Sequence, residues 1–352
     1  IKKLMILNDF EVTHVMNITD VDDKTIKGSV RENMPLKEFT RKYEKIFLDE
    51  QTSLNIMPPS KLTRATEYID EMVKMIQTLM KKGYAYETKD GVYFSISKDK
   101  KYGKLARLGK SKDKKERIKA DEYDKENAQD FALWKFHTPE DGEVFWDSPI
   151  GKGRPGWHIE CSAMATSILG PTIDIHSGAV DLLFPHHTNE IAQSECCTGK
   201  KFVNYWVHGA FLNMGEKMSK SLGNVIYLKT LQEEGYSPIH FRYYCLLTQY
   251  RKPLLFSYEN LDAAKNAFER IKNKIIDFKS KNVVGKDKSK EYLEKFMDAL
   301  NDDLNTPLAV QVFIKALDDD SFDSAKKFDL LVKMDEFLSL GIKTFKKEKV
   351  EA

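Results

Sequence analysis

An alternation of short apolar strands with helical segments in the middle of the chain constrains the fold most strongly. Segments 172–176 and 202–212 have the apolar, β-branched character of strands, and segments 157–169 and 184–197 have helical patterns. Strands that alternate with helices pair in parallel, because the chain crosses back over the sheet between them. We therefore predict an α/β domain whose parallel sheet is covered by helices on both faces.

The first part of the chain extends this pattern. Further predicted elements are a strand at 10–18, helices at 35–52 and 60–83, and a hairpin over 84–96 that turns at Asp90-Gly91. Thr19–Lys24 follow the carboxyl end of the first strand, where open α/β sheets bind ligands. Residues 1–7 resemble the end of a helix without a start signal, so we expect this sequence to begin inside a domain.

The second half of the chain changes to a helical pattern. Helices are predicted at 258–280, at 288–299, and from Thr306 and Pro307, as N-cap and first helical residue, onward to about 345. We divide the chain into an α/β domain at 1–250, with the hairpin and a charged insertion at 84–150, and an all-α helical bundle at 251–352.

Composition narrows the classes of function without choosing among them. The 56 basic residues nearly balance the 54 acidic ones, so the net charge of +2 gives no nucleic-acid signal. Four cysteines in a chain of this length predict a reducing, cytoplasmic setting. No run of about 18 apolar residues and no signal peptide is visible, which predicts no membrane contact. The basic stretch Lys98–Lys119 reads as a solvated insertion, with phosphate contact as the alternative.

A glycine-framed loop carries two lysines three residues apart. It runs from Gly215 to Asn224 and contains Lys217-Met-Ser-Lys-Ser221, so that Lys217 and Lys220 can meet a polyphosphate. Positive charge placed in this way stabilises pyrophosphate as it leaves the α-phosphorus of ATP. A lone pair of lysines would be an ordinary surface loop, but the whole string is far more specific.

A second constellation offers metal ligands. His186 and Glu190 are four residues apart and share one face of a helix, and Cys161 supplies a thiolate of the kind that zinc prefers. We predict that the three side chains bind one Zn²⁺. Cys196-Cys197 is the competing thiol source, and we interpret this pair as buried helix residues because vicinal cysteines do not chelate one ion comfortably.

In a third segment, Gly153–Cys161, a tight glycine loop is followed by Trp157 at the start of a predicted helix. Trp157 could belong to the core, or it could form the wall of a small amino-acid pocket. The segment alone leaves both interpretations open.

These three strings, together with Asn17–Lys24 and Asn301–Pro307, closely resemble cysteinyl-tRNA synthetases, which are class I aminoacyl-tRNA synthetases. The similarity runs from Ile1 into the helical half, with the motifs in the family's order. The resemblance implies a Rossmann-like catalytic domain followed by a helical bundle on the tRNA stem and anticodon side. It also implies two reactions: activation of L-cysteine by ATP, and transfer of the cysteinyl group to tRNA(Cys).

The resemblance also implies roles for single residues. Lys220 matches the ATP-contacting lysine of the signature loop, and Gly178 and Asp181 match the segment that approaches the ATP ribose. Cys161, His186 and Glu190 match three of the family's four zinc ligands. The positions that match the lining of the cysteine pocket are Thr19, Trp157, His176 and Asp181.

Two family features lie upstream of the first residue of this sequence: the remaining zinc cysteine and the His-x-Gly-His signature. We expect them in the complete protein. The partners implied are L-cysteine, ATP with Mg²⁺ and tRNA(Cys), acting on a monomer. Two rival functions remain: a ligase of the same fold that passes cysteine to an amino sugar, and a non-catalytic nucleic-acid-binding paralogue. The helical half and the insertion favour tRNA, and the intact lysine loop and three zinc ligands favour an enzyme.

Overall fold

The computed structural model describes residues 1–107, 130–214, 226–279 and 283–346. The chain forms two compact units. The first contains Ile1–Thr13, Phe47–Pro58 and Ala210–Ala352, and the second contains His14–Ile46 and Pro59–Gly209. This division does not follow the predicted boundary at residue 250, and the assignment of catalytic and tRNA-contacting roles to the two predicted domains stays a prediction.

The second unit combines two parallel strand pairs with a small antiparallel sheet, which confirms the α/β class. β1 (Val15–Ile18) pairs in parallel with β2 (Lys61–Arg64), and β7 (Ile173–Ala179) pairs in parallel with β8 (Val203–Gly209). The antiparallel sheet has the order β3 (Ala85–Glu87), β4 (Gly91–Phe94), β5 (Phe131–Phe136) and β6 (Gly153–Pro155). The helices that accompany these strands are α2 (Asp23–Arg31), α3 (Leu36–Ser53), α4 (Ile69–Lys81), α5 (Trp157–Leu169) and α6 (His186–Thr198). The residues of α3 from Phe47 onward belong to the first unit.

The predicted helix at 60–83 is wrong in its first third. Residues 61–64 form β2 instead, and the helix begins only at Ile69. Thr63 pairs with Asn17 of β1 and is fully buried, so pairing with a distant strand outweighs the local helical pattern. From there the helical period holds, because Met72, Ile76 and Leu79 form one fully buried stripe of α4.

The predicted hairpin is confirmed, but the glycine in it has a different role from the expected one. β3 ends at Glu87 and Gly91 is already the first residue of β4, so the connection consists of the three residues 88–90. A Cβ at Gly91 would lie only 2.2 Å from the carbonyl oxygen of Trp134 in β5. Gly91 is therefore needed for close approach of two strands rather than for the turn.

The first unit is mainly helical, as predicted for the second half of the chain. Its elements are α1 (Lys2–Leu7), β9 (Leu212–Asn213), α7 (Leu228–Glu233), α8 (Pro238–Leu246), β10 (Leu254–Leu255), α9 (Tyr258–Lys279), α10 (Ser289–Asn301), α11 (Thr306–Asp318) and α12 (Ser324–Leu338). β9 and β10 pair in parallel. The core of the bundle includes Leu261, Phe296 and Phe313, which are buried at 1% exposure or less.

One predicted helix boundary needs a correction. Asn305, not Thr306, caps α11, and its side-chain oxygen accepts a hydrogen bond from the Leu308 N–H. Pro307 does lie in the first turn, where its missing N–H costs nothing. In the part of the chain that the structure describes, no helix has the length and apolar character needed to cross a membrane.

Candidate active site

Two helices of the second unit carry most of the candidate site. α5 begins directly after Gly156, and α6 begins at His186 after the turn that follows β7. Both helices are buried on several sides, and α6 buries an unusual number of polar side chains, including His186, Asn189 and Glu190. Buried polar groups need partners, so the neighbours of this polar face define the site.

The structure brings the three predicted metal ligands together. One ligand atom each of Cys161, His186 and Glu190 lies within 4.8 Å of the others. The Nε2 atom of His186 is 3.1 Å from the Glu190 carboxylate, as expected for residues one helical turn apart. Cys161 is partly exposed as a residue, while its sulfur belongs to the buried cluster.

Other histidines surround this cluster, and none of them was among the predicted site residues. His158, three residues before Cys161 on α5, places its Nδ1 atom 2.9 Å from Nδ1 of His186. His187 places its Nδ1 atom 2.8 Å from Nε2 of His208 at the end of β8. The signal available in the sequence was position: His158 shares a helix face with Cys161, and His187 adjoins His186.

Glu190 lies between two groups of histidines. Besides His186, its carboxylate is 3.5 Å from Nε2 of His176 and 4.0 Å from Nε2 of His187. His176, His187 and Glu190 also bring one ligand atom each within 4.8 Å of the others. The Glu190 carboxylate therefore lies near both His176, a predicted cysteine-pocket residue, and His186, a predicted metal ligand.

The electrostatics of the cluster favour a charged carboxylate and a neutral thiol. Burial acts to raise the pKa of Glu190, but the imidazoles of His176 and His186 outweigh it and hold that pKa well below its ordinary value. Burial raises the pKa of Cys161 well above its usual range, with a further contribution from the Glu190 and Glu160 carboxylates. A cation that displaces the thiol proton would reverse this preference.

The donor set fits a zinc ion. Both Glu190 carboxylate oxygens are fully buried and accept no hydrogen bond of good geometry. Such a carboxylate needs a positive partner, and the sulfur, nitrogen and oxygen donors present are those that Zn²⁺ accepts. Cys196 and Cys197, the competing thiols, are half-buried rather than buried, and neither belongs to a metal-holding group among the described residues.

The other predicted pocket residues occupy different positions around the cluster. Trp157 is 40% exposed, so it is not a core side chain, and its ring centroid is 4.4 Å from that of His186. Thr19 lies beside the buried Glu160 carboxyl, whose pKa burial raises well above its usual range. Asp181 is exposed in the short 3₁₀ turn that follows β7.

Gly178 and the two signature lysines complete the predicted set. A Cβ at Gly178 would lie 2.7 Å from Cε1 of His187, so the absence of a side chain lets β7 and α6 approach closely. Lys217 and Lys220 lie outside the described residues, and their contacts with ATP stay a prediction.

An ion-pair network with a buried centre, Arg154 and Asp141, supports the segment that follows Thr19. The Arg154 guanidinium on β6 donates from Nε to Asp141 at 2.7 Å, and its Nη2 donates to Asp23 in the first turn of α2. Lys135 also pairs with Asp23, at 2.8 Å. The network joins the start of α2 to the strand that leads directly into Trp157.

Comparison with known proteins places this geometry in a family. Residues 1–266 match the family model described as the tRNA synthetases class I (C) catalytic domain. Among solved structures, methionyl-tRNA synthetase of Mycobacterium tuberculosis in its methionyl-adenylate complex matches with a TM-score of 0.64 at 13% identity. The match covers 94% of this chain and 83% of the other. This likeness shows the fold of a class I aminoacyl-tRNA synthetase.

Curated relatives refine the assignment. The chain is 45% identical over 316 residues to a cysteine–tRNA ligase of Chlamydia pneumoniae, covering 87% of this chain and 67% of the relative. It is 44% identical over 329 residues to a cysteine–tRNA ligase of Brachyspira hyodysenteriae, covering 90% and 69%. The chain therefore belongs to the cysteine–tRNA ligase family, and it spans about two thirds of the length of these relatives.

Proposed function

We propose that the protein activates L-cysteine with ATP and transfers the cysteinyl group to tRNA(Cys), and that a zinc ion held by Cys161, His186 and Glu190 selects the substrate. The family assignment supports the ligase reaction. The observation that carries the selection step is the convergence of these three donors within 4.8 Å around a buried carboxylate.

Selection is the chemical problem that such a site addresses. Serine differs from cysteine only by oxygen in place of sulfur, and an apolar pocket discriminates between near-isosteres by only about 1–3 kcal/mol. Zinc bound at the three donors would supply a soft Lewis acid that prefers a thiolate to a hydroxyl. With that ion bound, Cys161 as a thiolate and Glu190 would contribute two negative charges to the site, and the buried surroundings would exclude competing water.

The remaining side chains position the groups that react. His158 holds the ring of His186 through the 2.9 Å contact, as outer partners of metal-binding histidines do. Trp157 covers the same ring from the exposed side, where a small amino acid would enter. We assign Thr19, His176 and Asp181 to the amino acid.

ATP and tRNA bind elsewhere in the proposal. Gly178 and Asp181 approach the ribose, Lys217 and Lys220 stabilise the departing pyrophosphate, and Mg²⁺ accompanies the nucleotide. In the same proposal, residues 251–352 contact the tRNA stem.

Three lysines on α9 are engaged within the protein: Lys265 donates to the Gly235 carbonyl, and Lys272 and Lys274 pair with Glu269 and Asp318. We further expect a cytoplasmic monomer.

ATP–pyrophosphate exchange with cysteine and serine tests the proposal, together with measurement of bound zinc in the full-length protein. Cys161→Ala and His186→Ala are each expected to lose zinc and cysteine-dependent exchange together. Cys196→Ala, a half-buried cysteine of α6 outside the donor set, should retain both. A Cys161→Ala protein that lost zinc but still activated cysteine and rejected serine normally would refute the selector role.

The acceptor is tested separately by offering the activated cysteine to tRNA(Cys) and to an amino sugar. Transfer to tRNA alone is expected. Transfer to the sugar alone would replace the proposed reaction with that of the rival ligase, and exchange without any transfer would leave only the activation step.

A further inference from the structure

The turn between α10 and α11 is held in an uncommon conformation. Asp303 and Leu304 are consecutive non-glycine residues with positive φ, at 52° and 56°. Only a few per cent of non-glycine residues adopt this left-handed region, and such residues persist where the surroundings fix them. The Leu304 side chain packs against the helical core, whereas the Asp303 side chain is exposed. Core packing therefore does not explain the position of Asp303.

The Asp303 carboxylate gathers donors from one short segment. Arg251 donates from Nε at 2.5 Å and from Nη2 at 3.1 Å, and the Tyr250 hydroxyl donates at 2.7 Å. Gln249 adds a bond from Nε2 to the Asp303 backbone carbonyl at 3.1 Å. Hydrogen bonds from Arg251 hold the pKa of Asp303 below its ordinary value, so the carboxylate is charged at neutral pH.

The same segment holds the strand that leads into the signature lysines. The Tyr250 carbonyl accepts a hydrogen bond from the Ala210 N–H at 2.8 Å. The chain then continues to β10. The Leu254 N–H donates to the carbonyl of Phe211, which precedes β9, and the Phe256 N–H donates to the carbonyl of Asn213, the last residue of β9. All of these contacts lie within one compact unit. Residues 210–213 are followed in sequence by Gly215–Asn224.

We propose that Asp303 is a positioning residue for the ATP step. By fixing residues 249–251, its carboxylate holds residues 210–213, the described stretch that precedes Lys217 and Lys220 in the sequence. This inference rests on the proposed function, because it takes the two lysines as the groups that meet the polyphosphate. It links the turn between two bundle helices to a nucleotide-binding segment some 80 residues earlier in the sequence, from Asp303 back to Lys220.

Substitution of Asp303 by Asn tests the link. Asn tolerates positive φ, so Asp303→Asn removes the charge without a new demand on the backbone. Pyrophosphate exchange should show a KM for ATP raised about tenfold with the KM for cysteine nearly unchanged, since small displacements of positioning groups cost on the order of ten- to a hundredfold.

Asp318→Asn is the matched control. Asp318 pairs with Lys274 at 2.6 Å, and the two side chains are 44% and 58% exposed, close to the 46% and 57% of Asp303 and Arg251. This ion pair touches neither residues 249–251 nor the strand, so both KM values should stay at the wild-type level. Tyr250→Phe removes only the hydroxyl between Asp303 and the segment, and it should raise the KM for ATP in the same direction by a smaller factor. If Asp303→Asn does not fold, the KM values of Tyr250→Phe test the positioning role instead.

The outcomes separate this inference from the function on which it rests. Wild-type protein without cysteine-dependent exchange would overturn the proposed function. Active wild-type protein whose Asp303→Asn and Tyr250→Phe variants raised the two KM values equally, or changed neither, would overturn the positioning role alone. A change confined to the KM for tRNA in aminoacylation would do the same, because it would make Asp303 a tRNA contact.

Discussion

Removal of the Arg154 guanidinium should destabilise the protein strongly, although Arg154 lies outside the proposed ligand set. Its side chain is 8% exposed and that of its partner Asp141 is 6% exposed, so the pair is shielded from water. Burial alone would raise the pKa of Asp141, but the Thr138 backbone N–H and the Arg154 guanidinium outweigh it and lower that pKa. Arg154→Leu leaves the charge of Asp141 with only the Thr138 donors.

The size of the effect follows from this loss of a partner. Breaking a buried ion pair by removing one member costs about 3–5 kcal/mol, because the other charge stays buried. Asp141 keeps hydrogen bonds from the N–H and hydroxyl of Thr138, at 3.0 and 3.1 Å, which places the expectation at the lower end, about 3 kcal/mol. With a urea m value of about 3 kcal/mol/M, the unfolding midpoint should fall by about 1 M.

Urea unfolding followed by circular dichroism measures this change, and two further variants control it. Lys274→Met breaks an exposed ion pair with Asp318 and should cost less than about 1 kcal/mol. Adding Asp141→Leu to Arg154→Leu removes the unpaired charge and should recover part of the loss. If Arg154→Leu cost no more than Lys274→Met, the argument from burial would be refuted.

Two further predictions concern packing and acidity. Gly91→Ala should lower the free energy of unfolding by at least about 1–3 kcal/mol, because the new methyl group would lie 2.2 Å from the Trp134 carbonyl oxygen. Urea unfolding measures this change, and an unchanged midpoint would contradict the prediction. Burial lowers the pKa of His187 to about 3, so below about pH 6.5 the unfolded chain binds a proton that the folded chain does not. The free energy of unfolding of the metal-free protein should therefore fall on acidification, by about 2 kcal/mol between pH 6.5 and 5, and His187→Gln should flatten that dependence in urea titrations at the two pH values.

Local patterns predicted the elements whose own residues determine them. The segment 157–169 forms α5 as expected, since apolar residues recur through it and glycines precede and follow it. The spacing of His186 and Glu190 predicted their contact, because four residues bring side chains to one helix face. The approach of Cys161 to that pair depends on the packing of α5 against α6, so its prediction rested on the zinc-binding chemistry of a thiolate and on the family resemblance rather than on spacing.

Features that depend on distant partners were not predictable in this way. Residues 61–64 are a strand only because β1 lies beside them, and Asn305 caps α11 only because the preceding turn orients it. The contact between His187 and His208 joins a helix to a strand end 21 residues away. A sequence pattern carries no signal for such a pair when each residue alone resembles an ordinary polar position.

The contact between His158 and His186 has a consequence for where protons reside. Two imidazole nitrogens 2.9 Å apart share one hydrogen, so a change at one ring obliges a change at the other. When the hydrogen of a neutral His186 ring lies on Nε2, which is 3.1 Å from the Glu190 carboxylate, its Nδ1 accepts from His158. If His186 held the proposed zinc ion through Nε2, its hydrogen would lie on Nδ1, and the neutral His158 ring would then carry its own hydrogen on Nε2. Binding of the ion would in that case change the tautomer of His158, and the nitrogen chemical shifts of His158 would register the change.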